Sequence, residues 1–316
     1  MNFWEKLKKP IMALAPMANV TDAAFRSIIA KYGKPDVMFT EFVSADGLVS
    51  VGREALLPDL KFGDSERPIV AQFFGATPEH FYEVAVLARE LGFDGVDINM
   101  GCPDRAVLKQ GAGAALIEKP ELARRIISET KRGAGSLPVS VKTRLGLKKN
   151  TLAKWLPHLL EMEPAAITVH GRTAKELSLS PADWEAIEEA KKLRDRFSKK
   201  ILILGNGDVK NLADAESKAE KYGLDGVMVG RGIFGNPWFF DRRKEDVSRE
   251  EKLKVMLEHT VLFEKTFAGR KSFDVMKKHY KAYVNGFPGA KELRMELMGA
   301  KNAGEVGKIM GNRGFI

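Results

Sequence analysis

From Ile11 to Gly235 short apolar runs alternate with longer amphipathic stretches, and this alternation is the strongest constraint on the fold. The runs are IMALAPM from Ile11, VMFTEFV from Val37, PIVAQFF from Pro68, GVDINM from Gly95, PVSVKTR from Pro138, AAITVH from Ala165, ILILGN from Ile201 and GVMVGR from Gly226. Helical patterns lie between most of them, over 77–91, 120–132, 151–161, 181–197 and 211–222. Thr77-Pro78 and Ser180-Pro181 read as helix starts, with a capping hydroxyl followed by a proline suited to the first turn. Eight strands with crossover helices predict a (β/α)8 barrel, with a doubly wound sheet as the rival. The ends of the runs favour the barrel. They break into Pro16-Met17-Ala18-Asn19, Thr40-Glu41, Gln72, Asn99 to Cys102, Lys142-Thr143-Arg144, His170-Gly171-Arg172, Asn206-Gly207-Asp208 and Gly230-Arg231-Gly232. Only a barrel brings all of these to one face.

Beyond Gly235-Asn236-Pro237 the alternation stops, and the expected boundary separates a barrel over 1–240 from a small all-helical domain over 241–316. Helices are expected over 250–267 and 272–284, with a third after the turn Asn285 to Gly289. The excess charge sits there too. The chain carries a formal net charge of +9, and 241–316 hold 17 Lys+Arg against 11 Asp+Glu. A local basic excess is the footprint expected of a polyanion partner, or of a solvated helical surface. With 44% hydrophobic residues and ordinary Gly and Pro contents, disorder and collagen-like structure are excluded. One cysteine, no apolar leader and no long uncharged apolar run lead us to expect a cytoplasmic protein with no membrane segment.

Several residues point to chemistry. The loops Gly205 to Asp208 and Gly230 to Gly232 offer backbone amides and an arginine where barrels commonly seat a phosphate. Lys142 and Arg144 alternate along one strand and share a face, which implies an anionic ligand, or else ion pairs with Asp97 or Glu41. His170 ends the sixth run, as a core histidine or as part of the same site. Cys102 opens the loop after the fourth run, where a mostly protonated thiol can donate a proton. The glycines of 111–115 suit a loop that closes over a substrate. No His- or Cys-rich cluster is present, so no catalytic metal is expected, and an organic cofactor with a phosphate tail is.

These motifs together resemble the tRNA-dihydrouridine synthases, especially the bacterial type related to nitrogen-regulation locus proteins. The resemblance spans nearly the whole chain: APMANVTDAAFR from Ala15, INMGCP from Ile98, GAGAALI from Gly111, VSVKTRLG from Val139, ITVHGRT from Ile167, GNGDV from Gly205, GRGIFGNPW from Gly230 and NGFPGAKELR from Asn285. It implies an FMN-containing barrel and a helical domain that grips tRNA. By matching motif, Pro16, Met17, Gln72, Lys142, His170, Asn206, Gly207, Asp208, Gly230 and Arg231 would hold the flavin, with Lys142 and His170 at its ring and phosphate region. Asn99 and Arg144 would orient the target uridine, and Cys102 would be the general acid. The implied reaction has NADPH reduce FMN, hydride pass from N5 to C6 of a flipped-out uracil, and Cys102 protonate C5. Lys277, Lys278, His279, Lys281 and Arg294 are the expected phosphate contacts. The run DRAVLKQGAGAALI after GCP and the run AKELSLSPADW after HGRT depart from the family's commoner pattern near the substrate face. Two other readings of the same residues are a flavin enzyme acting on a free pyrimidine, similar to dihydroorotate dehydrogenase, and a non-catalytic RNA-binding or RNA-folding protein.

Overall fold

The computed structural model describes residues 2–198, 200–244, 246–267 and 269–315. Each of the eight apolar runs is a strand: β1 Ile11–Leu14, β2 Met38–Ser44, β3 Ile69–Phe74, β4 Gly95–Met100, β5 Val139–Arg144, β6 Ala166–His170, β7 Leu202–Asn206 and β8 Gly226–Val229. They pair in parallel in the order β1-β8-β7-β6-β5-β4-β3-β2. A parallel bridge between Ala13 and Val37, with Leu14 N–H donating to Val37 O at 3.0 Å, joins β1 to β2 and closes the ring. The doubly wound alternative is excluded, since an open sheet would leave these two strands as edges.

Around the barrel lie α1 Ala23–Tyr32, α2 Ala45–Leu48, α3 Arg53–Leu56, α4 Pro78–Glu90, α5 Arg105–Lys109, α6 Pro120–Ala134, α7 Leu152–Leu160, α8 Trp184–Phe197 and α9 Leu212–Lys221. After it come α10 Arg249–Phe267, α11 Val275–Tyr283, α12 Ala290–Gly299 and α13 Ala303–Asn312. Among the described residues no helix is long and apolar enough to cross a membrane.

Five helices carry no readable period: α2, α3 and α5 span five residues or fewer, and α1 and α13 lack one for physical reasons. Six of the ten residues of α1 are buried, including Arg26, because the helix is wedged between the barrel and the C-terminal helices. No wide polar face remains to mark its period. In α13 the glycines at 304, 307 and 311 lower helix propensity, and the Asn302 side chain capping Glu305 N–H at 2.8 Å compensates at the start.

Two expected caps are absent. Thr77 makes no side-chain cap hydrogen bond, although Pro78 does occupy the first turn. The helix after β6 starts at Trp184 and not at Pro181, capped by Asp183, which accepts from Ala186 N–H at 2.8 Å. Ser180 is occupied elsewhere: its carbonyl accepts from Arg172 Nε at 2.6 Å and its hydroxyl donates to Glu176 at 3.1 Å.

The C-terminal helices do not own their core alone. Leu253, Met256, Phe263, Tyr280, Leu293 and Val306 form one apolar cluster with Trp238 and with Ala23, Ala24 and Ile28 of α1. The first crossover helix thus belongs to both halves of the molecule. Arg26 fixes it to the barrel, with Nε on Glu66 at 2.6 Å and the other nitrogens on the carbonyls of Thr21 and Lys61. Both partners of the ion pair are buried, at 0% and 1% exposure. Removing one partner strands a charge out of water. Arg26→Met should therefore cost about 3–5 kcal/mol in urea unfolding, whereas Arg67→Met, at a half-exposed ion pair on the surface, should cost less than about 1 kcal/mol.

Candidate active site

The strand ends meet as the sequence predicts. Parallel register sets Gln72 beside Asp97, Asn99 beside Lys142, Arg144 beside His170, and His170 beside Asn206. A cleft of about 700 Å³ opens at this mouth. It is lined by all of the residues expected there: Pro16, Met17, Gln72, Asn99, Cys102, Lys142, Arg144, His170, Asn206, Gly207, Asp208, Gly230 and Arg231.

A chain of hydrogen bonds begins inside the barrel and ends at the thiol. The Asp97 carboxylate accepts from Ser140 Oγ at 2.5 Å and from Gln72 Nε2 at 2.6 Å. Gln72 Oε1 accepts from Asn99 Nδ2 at 3.0 Å, and Asn99 Oδ1 accepts from the N–H groups of Gly101 and Cys102 at 3.1 and 2.9 Å. Burial pushes Asp97 up to about 6, so it remains ionised at neutral pH. Its charge orients both amides in sequence, and the Asn99 amide fixes the backbone of Cys102.

Cys102 is a free thiol, 9% exposed. Burial raises its pKa by more than the Asp104 N–H, Arg144 and Lys142 lower it, so the thiol stays protonated at neutral pH. The glycine-rich stretch after it is not an open lid. Residues 113–118 form a 3-10 turn with Ala112, Gly113 and Ala114 buried, and Ala114 N–H donates to Cys102 O at 3.0 Å. Gly113 lies at φ +58°, where a Cβ would come within 2.8 Å of Cys102 O. Glycine is required there for packing under the thiol, not for mobility.

Cations crowd the arc that runs from β5 to β8. Lys142 forms no ion pair among the described residues, because Asp97 is held by Ser140 and Gln72 while Glu41 is taken by Lys271 at 2.5 Å. Burial and Arg144 lower Lys142 to about 8. Arg144 is pulled down to about 10 by burial and stays charged at neutral pH. Its Nε donates to Gly101 O at 2.7 Å and its Nη1 to Thr173 O at 3.1 Å. Burial and the surrounding Lys142, Arg144, Arg172 and Arg231 keep His170 neutral, and its Nε2 lies 3.2 Å from Arg172 Nη1.

Arg172 was not singled out by sequence reasoning, yet it organises this arc. It is nearly inaccessible, pairs with Asp208 and contacts His170. The signal was present: a third cation two residues after His170, in the same strand-end position as Lys142 and Arg144. Asp208, at φ +46°, also accepts from Ala182 N–H at 2.8 Å and from Arg231 at 3.3 Å, so its carboxylate holds the loop together. Asn206 likewise ties β7 to β8, donating to Met228 O at 2.8 Å. The main-chain N–H groups of Asp208, Val209, Arg231 and Gly232 have no protein acceptor among the described residues.

The expected contacts on the C-terminal helices divide. Lys278 and Lys281 are exposed. Lys277 pairs with Asp274 at 2.6 Å, and Arg294 donates to Val284 O at 2.7 Å, closing the end of α11. His279 is a correction: it has 0% exposure, packed against Phe25 with its ring centre 4.7 Å from that of His259, and touches no solvent-facing ligand. Its neighbours on α11 alternate with the helical period, which turns position 279 inward. Among the described residues no group of three or more His, Cys, Asp or Glu side chains could hold a metal ion.

The fold resembles that of several solved oxidoreductases. The 2-naphthoyl-CoA reductase superposes with a TM-score of 0.58 at 13% identity, over 78% of this chain and 53% of its own. The old yellow enzyme homologue from Zymomonas mobilis gives 0.54 at 13% identity, over 75% and 89%. In sequence, a probable tRNA-dihydrouridine synthase of Staphylococcus aureus (strain COL) is 40% identical over 98% of this chain and 94% of its own length. A probable tRNA-dihydrouridine synthase 2 of Bacillus subtilis (strain 168) is also 40% identical, over 98% and 95%. The family described as dihydrouridine synthase (Dus) matches residues 13–312, the barrel and the helices after it alike. With the thiol, the cations and the unbonded amides gathered at one barrel mouth, the chain belongs to the dihydrouridine synthase family.

Proposed function

We propose that this protein reduces the C5–C6 double bond of uridine in tRNA, with FMN held in the cleft and NADPH as reductant. The observation that carries this reading is the arrangement around the ring. Cys102 follows β4 and the amides of Arg231 and Gly232 follow β8, and the strand order sets these two strands across the barrel from each other. A protonated thiol and an anion cradle thus face one another over a single cleft.

The residues fit a flavin mononucleotide. The unbonded amides of the β7 and β8 loops and the Arg231 side chain suit its phosphate, as nests of N–H groups do. A Cβ added at Gly230 would meet only Met17 Sδ at 3.6 Å and Ala15 Cβ at 3.7 Å, so protein packing alone does not require glycine there. The open space over it leaves room for a ligand to approach the backbone closely. Lys142, a half-buried cation with no ion-pair partner among the described residues, suits an electron-rich group of the ring system. A flavin held by these residues would supply the hydride for one carbon of the pyrimidine. Cys102 Sγ gives its proton to the other. Arg144, whose Nη2 has no protein acceptor among the described residues, is placed to bind a uracil carbonyl. NADPH as the electron source is carried over from the family resemblance.

A base inside a folded RNA reaches this depth only when flipped out, and the cost of unstacking is offset by contacts elsewhere on the polyanion. Lys278 and Lys281 on α11 supply two such cations.

The direct test is to incubate the protein with NADPH and tRNA lacking dihydrouridine, then to look by mass spectrometry for uridine that has gained two hydrogens. Unchanged tRNA after incubation with flavin-loaded, NADPH-reducible protein would sink the reading. Cys102→Ala should slow product formation by about 10²–10⁴-fold, the usual range for a lost general acid, with flavin content unchanged.

Lys142 yields a pH prediction. A bound electron-rich group raises the lysine pKa above its free value of about 8, so binding takes up a proton above that pH. Flavin affinity should be level between about pH 7 and 8 and fall, by at most about tenfold per unit, as pH rises further. In Lys142→Met this decline should vanish, as read by fluorescence titration with FMN.

A further inference from the structure

The loops after β5 and β6 continue the ladder of their strands past the barrel mouth. Leu145 N–H donates to Arg172 O at 3.2 Å, Ala174 N–H to Gly146 O at 2.9 Å and Lys175 N–H to Leu147 O at 2.9 Å. A tight turn follows, in which a Cβ on Gly146 would lie 1.9 Å from Lys149 O. This stiff rim displays three exposed lysines, Lys148, Lys149 and Lys175, around a recess of about 410 Å³. Two carboxylates share the recess, and both are committed to the rim itself. Glu176 accepts from Thr173 N–H at 2.6 Å, from Thr173 Oγ1 at 2.8 Å and from Ser180 Oγ at 3.1 Å, while Asp183 caps α8. Among the described residues the three lysines have no ion-pair partner.

The position of the rim gives it meaning. In the closed ring β5 stands across from β1, and β6 across from β2. The C-terminal helices are fastened on the β1–β2 side, through α1 and through Lys271, which pairs with Glu41 at 2.5 Å and Asp59 at 2.7 Å. The lysine rim and the helical unit therefore face each other over the cleft. Arg144 joins the rim to the cleft by donating to Thr173 O. The same loop holds Leu177 and Leu179 in water at 47% and 86% exposure, with Leu177 at φ +52°, a conformation that costs a bulky residue energy.

We propose that this rim is a second contact for the RNA sugar-phosphate backbone, so that the polynucleotide straddles the cleft between Lys148, Lys149 and Lys175 on one side and the helical unit on the other. The proposal rests on the RNA-reducing reading above and adds a surface on the barrel to it. Phosphates favour such sites because each lysine that neutralises one releases condensed counterions.

The test replaces Lys148, Lys149 and Lys175 together with alanine in the full-length, flavin-loaded protein. A control removes the same charge at the far end of the barrel, at Lys6, Lys8 and Lys34, which are also exposed. For the rim variant we expect KM for tRNA to rise at least about tenfold, and the slope of log affinity against log salt to shrink by about 2, as three lost phosphate contacts require. The rate of flavin reduction by NADPH without RNA should stay within about twofold of wild type. The control should leave KM unchanged. An unaltered KM in the rim variant, or an equal loss in the control, overturns the proposal. Slowed flavin reduction with tRNA affinity intact overturns it in favour of the reductant's own phosphates. A wild-type protein that neither binds nor reduces tRNA removes the reading beneath it, which the unmodified enzyme alone reveals.

Discussion

Four cations, Lys142, Arg144, Arg172 and Arg231, converge on one end of a closed parallel barrel, and much of the site is arranged to hold them there. Their mutual repulsion in a partly buried cleft is severe, as the lowered pKa values of Lys142 and Arg144 and the neutrality of His170 record. Two carboxylates answer it in part. Asp208 takes Arg172 and Arg231, and Asp97 lies beneath Lys142 without bonding to it. The remaining positive potential is what makes the mouth receptive to anions, and it is sustained by the covalent and ladder geometry of the strands. Parallel closure is the prerequisite, because it sends every strand end to the same face.

The helical unit is bound into this arrangement. Lys271 reaches the barrel mouth and is shared by Glu41 and Asp59, and Glu41 also accepts from Asn19 N–H in the loop that follows Pro16 and Met17. A shift of the C-terminal helices would therefore be felt in a loop that lines the cleft. Asp22 lies fully buried beside these groups, and that burial pushes its pKa to about 6. The shared cluster around α1 adds an apolar seam beneath the ionic one. On the proposed reading, holding a rigid RNA and presenting one of its bases would both require that these two halves keep a fixed relation.

The strands and the ring of site residues were legible because two simple signals coincided: apolar runs of strand length, and a change to polar residues at one end of each. All thirteen residues expected in the cleft line it, since position at a strand end is enough to place them there. What failed to show in the sequence depended on three-dimensional neighbours. α1 has no wide polar face because it is covered on two sides, and His279 reads as a surface cation until the helix phase turns it toward Phe25. The glycines after Cys102 suggest mobility, whereas Gly113 is needed because the thiol's own backbone leaves no room for a Cβ. Arg172 hid in plain view, since a guanidinium that contacts a neighbouring histidine and carboxylate differs from a surface arginine only in its surroundings.

The environment of Cys102 decides what kind of chemistry it is suited to. A nucleophilic thiol needs a base or an electropositive pocket that favours the thiolate. Here burial acts against ionisation, and the histidine at the cleft, His170, is neutral, lies 3.2 Å from Arg172 and ends a strand two places away. Lys142 and Arg144 pull the other way, but the net direction is upward. The backbone around the thiol is meanwhile fixed by Asn99 and by the turn beneath it. A thiol that is positioned firmly and kept protonated is poor at attacking carbon and well suited to delivering one proton to a carbon that has just gained electrons. The same chain of amides that fixes its backbone starts at Asp97, deep in the barrel, so the proposed proton donor is positioned from the fold's interior.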